Sequence, residues 1–418
     1  MAGCFDSRYP PQVFSTIFGT GILMRNAGSI AAFCNRCDGG SVRTLVVVCA
    51  VFMSSVAGVG SSGAESRELR LTFVGDIMGH DVNYQTKDFH DIYRGVRDVV
   101  ASDDLTFANL EFPLDPFRPQ SGYPSFNGTV AYLAAAIDSG FNLFSLANNH
   151  AFDWGEEGVR QTIRALESAR ANSARAFAYS GTRADPLLAF HSETIVVRGV
   201  RVGFVAVSQF LNKPDGGGYV HVVDYANPAQ VEDFLAFVRR VSPQYDLFIV
   251  SYHGDQEYSQ ETSPLKRVFF KQLLQAGAHI VVGHHPHVVQ GYDLVRVNGL
   301  QRLAMYSMGN FISGMTWGLA PALLQGVIAA TGESYMLSAT VRCDRGGCTV
   351  NRADAIPIAN YQDEEHGMIV ARMSELADGT VKVSPAWQAY YAQRLSLMRA
   401  FLLQSVPTDS VRPSSTSP

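Results

Sequence analysis

Three of the chain's eleven histidines fall within Gly283-His284-His285-Pro286-His287-Val288. Imidazole is the commonest protein ligand for borderline metal ions. In an extended segment His285 and His287, two apart, present their side chains on the same side. Pro286 is read as keeping that backbone extended, which makes His285 and His287 the ligand pair and leaves His284 behind them. Other oxygen and nitrogen ligand types are spread along the chain: Asp76, Glu111, Asn149 with His150, His253 and Asn310. This mixed set suits Mn, Fe or Zn and not a thiolate site. A carboxylate can bridge two such ions. A pair of ions clamps the attacking and leaving oxygens of a phosphoryl displacement and lowers the pKa of bound water. A further histidine nearby would protonate the leaving group. The residues therefore point to metal-assisted hydrolysis, foremost of a phosphate ester.

Such groups need elements that bring them together. The apolar run from His279 to Val282 reads as a buried strand leading into the histidines. Leu69 to Val74, Leu105 to Ala108, Phe141 to Leu146, Leu247 to Val250 and Arg302 to Tyr306 read as further strands. Helical spacing separates them over Asp91–Ala101, Thr129–Ser139, Trp154–Arg170, Asn227–Arg240 and the stretch from Ser263 to Gly277. Glu193 to Val207 reads as a hairpin turning at Arg198-Gly199. The expectation is an α/β fold with polar groups at the carboxyl ends of successive strands, the edge where open α/β sheets bind ligands. A single Asp or Asn there could be a turn or cap residue. Six strand ends supplying metal-ligand types are harder to explain by capping. Rival constellations are weaker: Ser251 and Ser307 lie outside a Gly-x-Ser-x-Gly elbow, Gly216-Gly217-Gly218 lies in a loop, and there is no P-loop.

The 418 residues carry a net charge of −5, with no basic face to suggest nucleic acid. Residues 1–64 read as a leader. Arg43, the apolar run Thr44–Met53 and small residues through Ala64 have the order of a secretory signal, with a retained anchor helix as the alternative. Val42 is a candidate alternative start. Cys34 and Cys37 precede it without a partner pair. The remainder is expected outside the cytoplasm as a domain over 65–385, a helix over 386–406 that packs on the domain or meets a partner, and a disordered tail over 407–418. Cys343 and Cys348 flank the turn sequence Asp344-Arg345-Gly346-Gly347, and a disulfide across a hairpin is expected.

The assembled motifs resemble the CapA family, the capsule and poly-γ-glutamate biosynthesis proteins of the calcineurin-like metallophosphoesterase superfamily. They are Gly75-Asp76-Ile77-Met78, Asn109-Leu110-Glu111, the run from Ser145 through Asn148-Asn149-His150 and Asp153 to Gly155, His253 with Glu257-Tyr258, Gly283 to Val288, and Ser307-Met308-Gly309-Asn310-Phe311. They span roughly residues 69 to 313. The resemblance implies a four-layer α/β/β/α sandwich with the metal site at the strand ends, holding one or two divalent ions. It implies Asp76, Glu111, Asn149, His253, His285 and His287 as ligands, with Glu111 bridging, and His150 acting at the leaving group. Asn109, Asn148, Asp153, Glu257, His284 and Asn310 would support these or face substrate. Two positions depart from the pattern. Met78 stands where a ligand histidine is usual, so that His80 or Asp81 would have to substitute. His253-Gly254-Asp255 lacks the usual aromatic. The resemblance alone implies a role in envelope polymer synthesis, with an anionic polymer or its phosphorylated precursor and a membrane-bound synthesis machinery as partners. Alternatives are a non-catalytic accessory protein and a hydrolase of amide bonds.

Overall fold

Along Leu71-Thr72-Phe73-Val74 every side chain is inaccessible to solvent. A strand buried on both faces belongs between layers. The computed structural model describes residues 66–404. There β1 (Arg67–Ile77), β2 (Leu105–Leu110), β3 (Leu143–Ser145) and β4 (Ala178–Ser180) pair in parallel in that order. The chain then crosses to a second sheet. β5 (Glu193–Val197) and β6 (Val200–Ser208) form the hairpin expected at Arg198-Gly199. β7 (Leu247–His253), β8 (Ile280–His284), β9 (Val289–Val297) and β10 (Leu300–Met308) complete the order β5-β6-β7-β8-β10-β9. Finally β11 (Asn310–Ile312) returns parallel to β1, and β12 (Glu333–Asp344), β13 (Gly347–Asp363) and β14 (Gly367–Arg372) extend the first sheet antiparallel on the side of β1 away from β2.

The period of two decides which residues face which layer. Leu71, Phe73, Phe107, Phe204, Ile249 and Val282 meet between the sheets. Val74, Ala108 and Phe144 point the other way and are covered by the helices Val130–Ser139 and Gly155–Asn172. Val205, Val250 and Val281 are covered by the helices Pro228–Val241 and Pro264–Ala276. The result is the expected α/β/β/α order of layers.

Local chemistry sets the helix ends. Asn227 accepts from the backbone N–H groups of Ala229 and Gln230, Ser263 accepts from that of Lys266, and a proline occupies the first helical position after each. The single helix expected over Asp91–Ala101 is instead two short pieces, Phe89–Tyr93 and Arg97–Val100. Gly95 lies between them, and a Cβ there would sit 2.7 Å from the Val370 carbonyl oxygen. Close packing on β14 overrides helix propensity at that point.

Cys343 and Cys348, cross-strand partners at the end of the β12–β13 hairpin, are joined by a disulfide. The last helix, Pro385–Gln404, lays Tyr390, Tyr391 and Leu395 against Ala359, Ala371 and Met373. Its Arg394 forms a buried ion pair with Glu333 of β12, with Nε 2.8 Å from Oε2. The expected leader, the start at Val42, Cys34 with Cys37, and the tail over 407–418 lie outside the described residues. Among the described residues no helix is long and apolar enough to cross a membrane.

Candidate metal centre

The parallel pairing of β1 and β2 sets Asp76 beside Asn109 at the carboxyl end of the first sheet. Gly75 makes this possible, because a Cβ there would lie 1.8 Å from the Gly309 carbonyl oxygen where β10 passes into β11. The Asp76 amide donates to that same oxygen at 3.0 Å. Asn109 sits between two carboxylates: its Nδ2 lies 2.9 Å from Asp76 Oδ1, 3.3 Å from Glu111 Oε2 and 3.2 Å from His253 Nδ1. An amide has two hydrogens for these three acceptors. Asn148 donates to the Leu110 carbonyl at 2.9 Å and so braces this corner.

The second sheet supplies the imidazoles. His253 ends β7 and His284 ends β8. His253 Nε2 lies 2.8 Å from Asn149 Oδ1, 3.2 Å from His285 Nδ1 and 3.6 Å from Glu111 Oε1. His287 Nδ1 is 3.0 Å from Asn310 Oδ1, which orients the ring, and Nε2 is 3.8 Å from Glu111 Oε1. All six expected ligands therefore converge between the ends of two facing sheets. Two groups of ligand atoms, Asp76–Glu111–His253 and Glu257–His285–His287, each lie within 4.8 Å of one another. His284 stands behind them, fully buried against Phe107, with Nδ1 3.2 Å from Asp76 Oδ1 but not aligned for a hydrogen bond.

These groups fit a divalent cation. Asp76 Oδ2 and Glu111 Oε1 are buried and accept no hydrogen bond. Buried acceptors without partners are costly unless something positive meets them. Burial works to raise the Asp76 carboxyl, but the imidazoles of His284 and His287 outweigh it and hold Asp76 well below the usual carboxylate range. Burial and the Asp76 charge push Glu111 well above it. Burial lowers His253 well below the ordinary histidine value and His285 to about 3, so both rings are neutral and ready to donate a lone pair.

Next to this cluster is a cavity of about 710 Å³ with His150 in its wall. His150 Nδ1 lies 2.8 Å from Asp153 Oδ2, an oxygen that also accepts from the Phe126 amide at 2.9 Å. The Phe126 ring meets His150 edge-on at 4.6 Å between centroids. This fixes the imidazole and turns Nε2 away from Asp153, with Asn212 Nδ2 at 3.5 Å.

Several local expectations change. His285 and His287 are not in extended backbone: β8 stops at His284, and φ is +95° and +58° at the two residues. The rings come together, 5.8 Å apart, because a turn aims them. Backbone held in so sparse a region for a bulky side chain is common at functional sites. Neither His80 nor Asp81 replaces the histidine absent at position 78. Gly314 N–H donates to His80 Nδ1 at 3.1 Å, Gly122 N–H donates to Asp81 Oδ1 at 3.1 Å, and neither joins the ligand groups. Asp255 faces away, accepting from Ser263 N–H at 3.1 Å and from Gln290 Nε2 at 3.4 Å, whereas Glu257 lines the cavity. Asn212 and Phe210 escaped sequence reasoning. Asn212 lies 3.3 Å from Asn149 Nδ2 and near the His150 ring, and Phe210 meets His285 edge-on. Both come from a loop after β6 that carries no motif.

Comparison with known proteins places this geometry in context. The capsule biosynthesis protein CapA of Bacillus anthracis is 27% identical over 271 residues, covering 60% of this chain and 62% of its own. The PGA biosynthesis protein CapA of Bacillus subtilis is 28% identical over 263 residues, covering 60% and 64%. The chain thus spans somewhat less than two thirds of the length of these relatives. Among solved structures, a novel phosphatase from Mycoplasma pneumoniae aligns with a TM-score of 0.43 at 14% identity, covering 71% of this chain and 95% of that one. The calcineurin-like phosphoesterase YfkN of Bacillus subtilis aligns with a TM-score of 0.40 at 13% identity, covering 80% and 100%. The sequence profile described as "Bacterial capsule synthesis protein PGA_cap" matches residues 70–315, more than half of the chain and the whole run that carries the expected ligands, and the chain belongs to that family.

Proposed function

We propose that this protein is a metal-dependent phosphoester hydrolase acting outside the cytoplasm in capsule or poly-γ-glutamate synthesis. What supports the reading is the pair of buried carboxylate oxygens, Asp76 Oδ2 and Glu111 Oε1, which accept no hydrogen bond and lie beside the imidazoles of His287 and His253 next to a cavity. Asp76, Glu111, Asn149, His253, His285 and His287 would hold one or two divalent ions, with Mn, Fe or Zn as the metals suited to these donors. Divalent ions there would polarise the phosphoryl oxygens and make water a better nucleophile. The remaining work falls to the chain itself. Asn109 keeps Asp76 and Glu111 in place. Asp153 orients His150, so that Nε2, when protonated, gives its proton to the leaving oxygen. Its substrate would be an anionic envelope polymer's phosphorylated precursor, with the expected leader tethering or exporting the domain. The test is metal analysis of the purified chain with a phosphatase screen on aryl phosphates and phosphodiesters. Retention of no divalent ion after dialysis into Mn- and Zn-containing buffer would refute the reading.

A second reading, a non-catalytic accessory protein for polymer assembly or export, is favoured by one observation. Met78 is buried and donates no strong ligand where a histidine is usual. A Mycobacterium tuberculosis relative, 31% identical over 161 residues, is named a probable polyglutamine synthesis accessory protein. Polymer production that survives His150→Asn in cells would favour this reading.

A further inference from the structure

Beyond the ligand cluster, the cavity wall has an unusual composition. Three large aromatic side chains line it while staying open to solvent: Tyr123 at 77% exposure, Trp317 at 65% and Tyr258 at 40%. They come from three separate loops, so no single element's amphipathic pattern accounts for them. Exposed apolar surface gathered around a concavity marks a place where something binds. The chemistry of the rest of the wall narrows what that is. No lysine or arginine lines the cavity among the described residues. The cations in the vicinity are already committed: Lys213 donates to the Asp153 carbonyl, and Arg118 pairs with Asp115 at 2.9 Å and lies over the Trp154 ring. The ionisable side chains on the wall are Glu257 and the histidines His80, His150 and His287.

We propose that the cavity binds the uncharged sugar portion of a glycosylated substrate, its pyranose faces stacked on Trp317, Tyr123 and Tyr258 and its hydroxyls hydrogen-bonded by Glu257 and Asn212. A run of carboxylates is best met by a row of lysine or arginine side chains, which this wall lacks among the described residues. A sugar ring has apolar C–H faces that match exposed aromatic faces, and a rim of hydroxyls that match a carboxylate and an amide. A cavity of about 710 Å³ has room for a short glycan. Tyr258 is held in place for this by its backbone N–H, which donates to the Pro286 carbonyl at 2.8 Å between the two histidine ligands. Any sugar held on these rings therefore lies next to the metal ligands. The inference rests on the phosphoester reading only for the anionic end of the substrate, which would face those ligands.

The test separates the two. The full chain is treated with EDTA, and binding of cellotetraose, an N-acetylglucosamine tetramer and tetra-γ-glutamate is measured by titration calorimetry at low and high salt. The expected result is that one neutral oligosaccharide binds without metal, with little salt dependence, and that Trp317→Ala and Tyr123→Ala each weaken it about tenfold while the thermal melt is unchanged. The inference is overturned if neither saccharide binds, if both substitutions leave affinity within about twofold, or if tetra-γ-glutamate binds more tightly than either saccharide. Hydrolysis of aryl phosphates by the metal-loaded chain is scored separately. Saccharide binding without hydrolysis retains this inference and removes the catalytic one, and the converse result does the reverse.

Discussion

At the scale of single residues, the site is a balance of buried charges. Glu111 is pushed up by burial and by the Asp76 charge. A raised folded value contributes stability that is complete below the ordinary carboxylate pKa and is lost as pH rises. Glu111→Gln removes that loss. In EDTA, the melting temperature of the Glu111→Gln chain minus that of the wild type should therefore grow as pH rises from about 5 to about 8. The comparison isolates Glu111 from His253 and His285, whose lowered values act in the opposite sense. The same substitution should abolish any gain from added Mn or Zn. His150 carries a different prediction. His150→Asn should lower phosphoester turnover by about a hundredfold or more with metal content unchanged, because a positioned acid contributes 10²–10⁴ in rate. Asp153→Asn should cost less than His150→Asn, since it acts by holding His150 Nδ1.

At the scale of elements, two glycines set how closely the strands that end in the proposed ligands approach their neighbours. A Cβ on Gly75 would meet the Gly309 carbonyl oxygen at 1.8 Å, and one on Gly283 would meet the Tyr306 carbonyl oxygen at 2.0 Å. Neither neighbour is a flexible side chain, so the strands themselves would have to part. Gly283→Ala should displace the end of β8 and with it His284, His285 and His287. The expected outcome is loss of bound metal in elemental analysis with far-UV circular dichroism retained. Retention of full metal content would show that β8 can shift at no cost to the site. Helix ends are a milder case. Asn227→Ala leaves the Ala229 and Gln230 amides uncapped and should cost about 1 kcal/mol in denaturant unfolding.

At the scale of the whole molecule, two long-range polar ties add to the apolar core of the sandwich. One is the meeting of the two sheets at the ligand cluster, which a bound ion would clamp. Metal at about a hundred times its dissociation constant should add about 2.7 kcal/mol. That is a rise of roughly 5 °C in melting temperature for a domain of this size, reversed by chelation. The other is the C-terminal helix, whose Arg394 pairs with Glu333 of β12 in a buried setting. Removing one partner of a buried pair leaves the other charge uncompensated, so Arg394→Ala should cost about 3–5 kcal/mol. Arg394→Ala combined with Glu333→Ala should recover part of that loss.

The sequence by itself determined the parts. Period-two runs such as Leu69–Val74, caps such as Asn227-Pro228 and Ser263-Pro264, and ligand residues at the ends of those runs are local signals, and local physics makes them readable. That the six expected ligand residues and His150 would gather in one place was legible because each motif carries its own chemistry. Only the tertiary structure decided how they meet. Strand pairing across two sheets set Asn109 between Asp76 and Glu111, and a left-handed turn at His285 and His287 aimed the rings that an extended backbone was expected to aim. Close packing against β14 broke the helix expected over Asp91–Ala101. Asn212, Tyr123 and Trp317 reached the cavity, and Phe210 the His285 ring, from loops far apart in sequence. Those outcomes depend on contacts between distant segments, and no periodicity or motif within a segment encodes which distant neighbour it will meet.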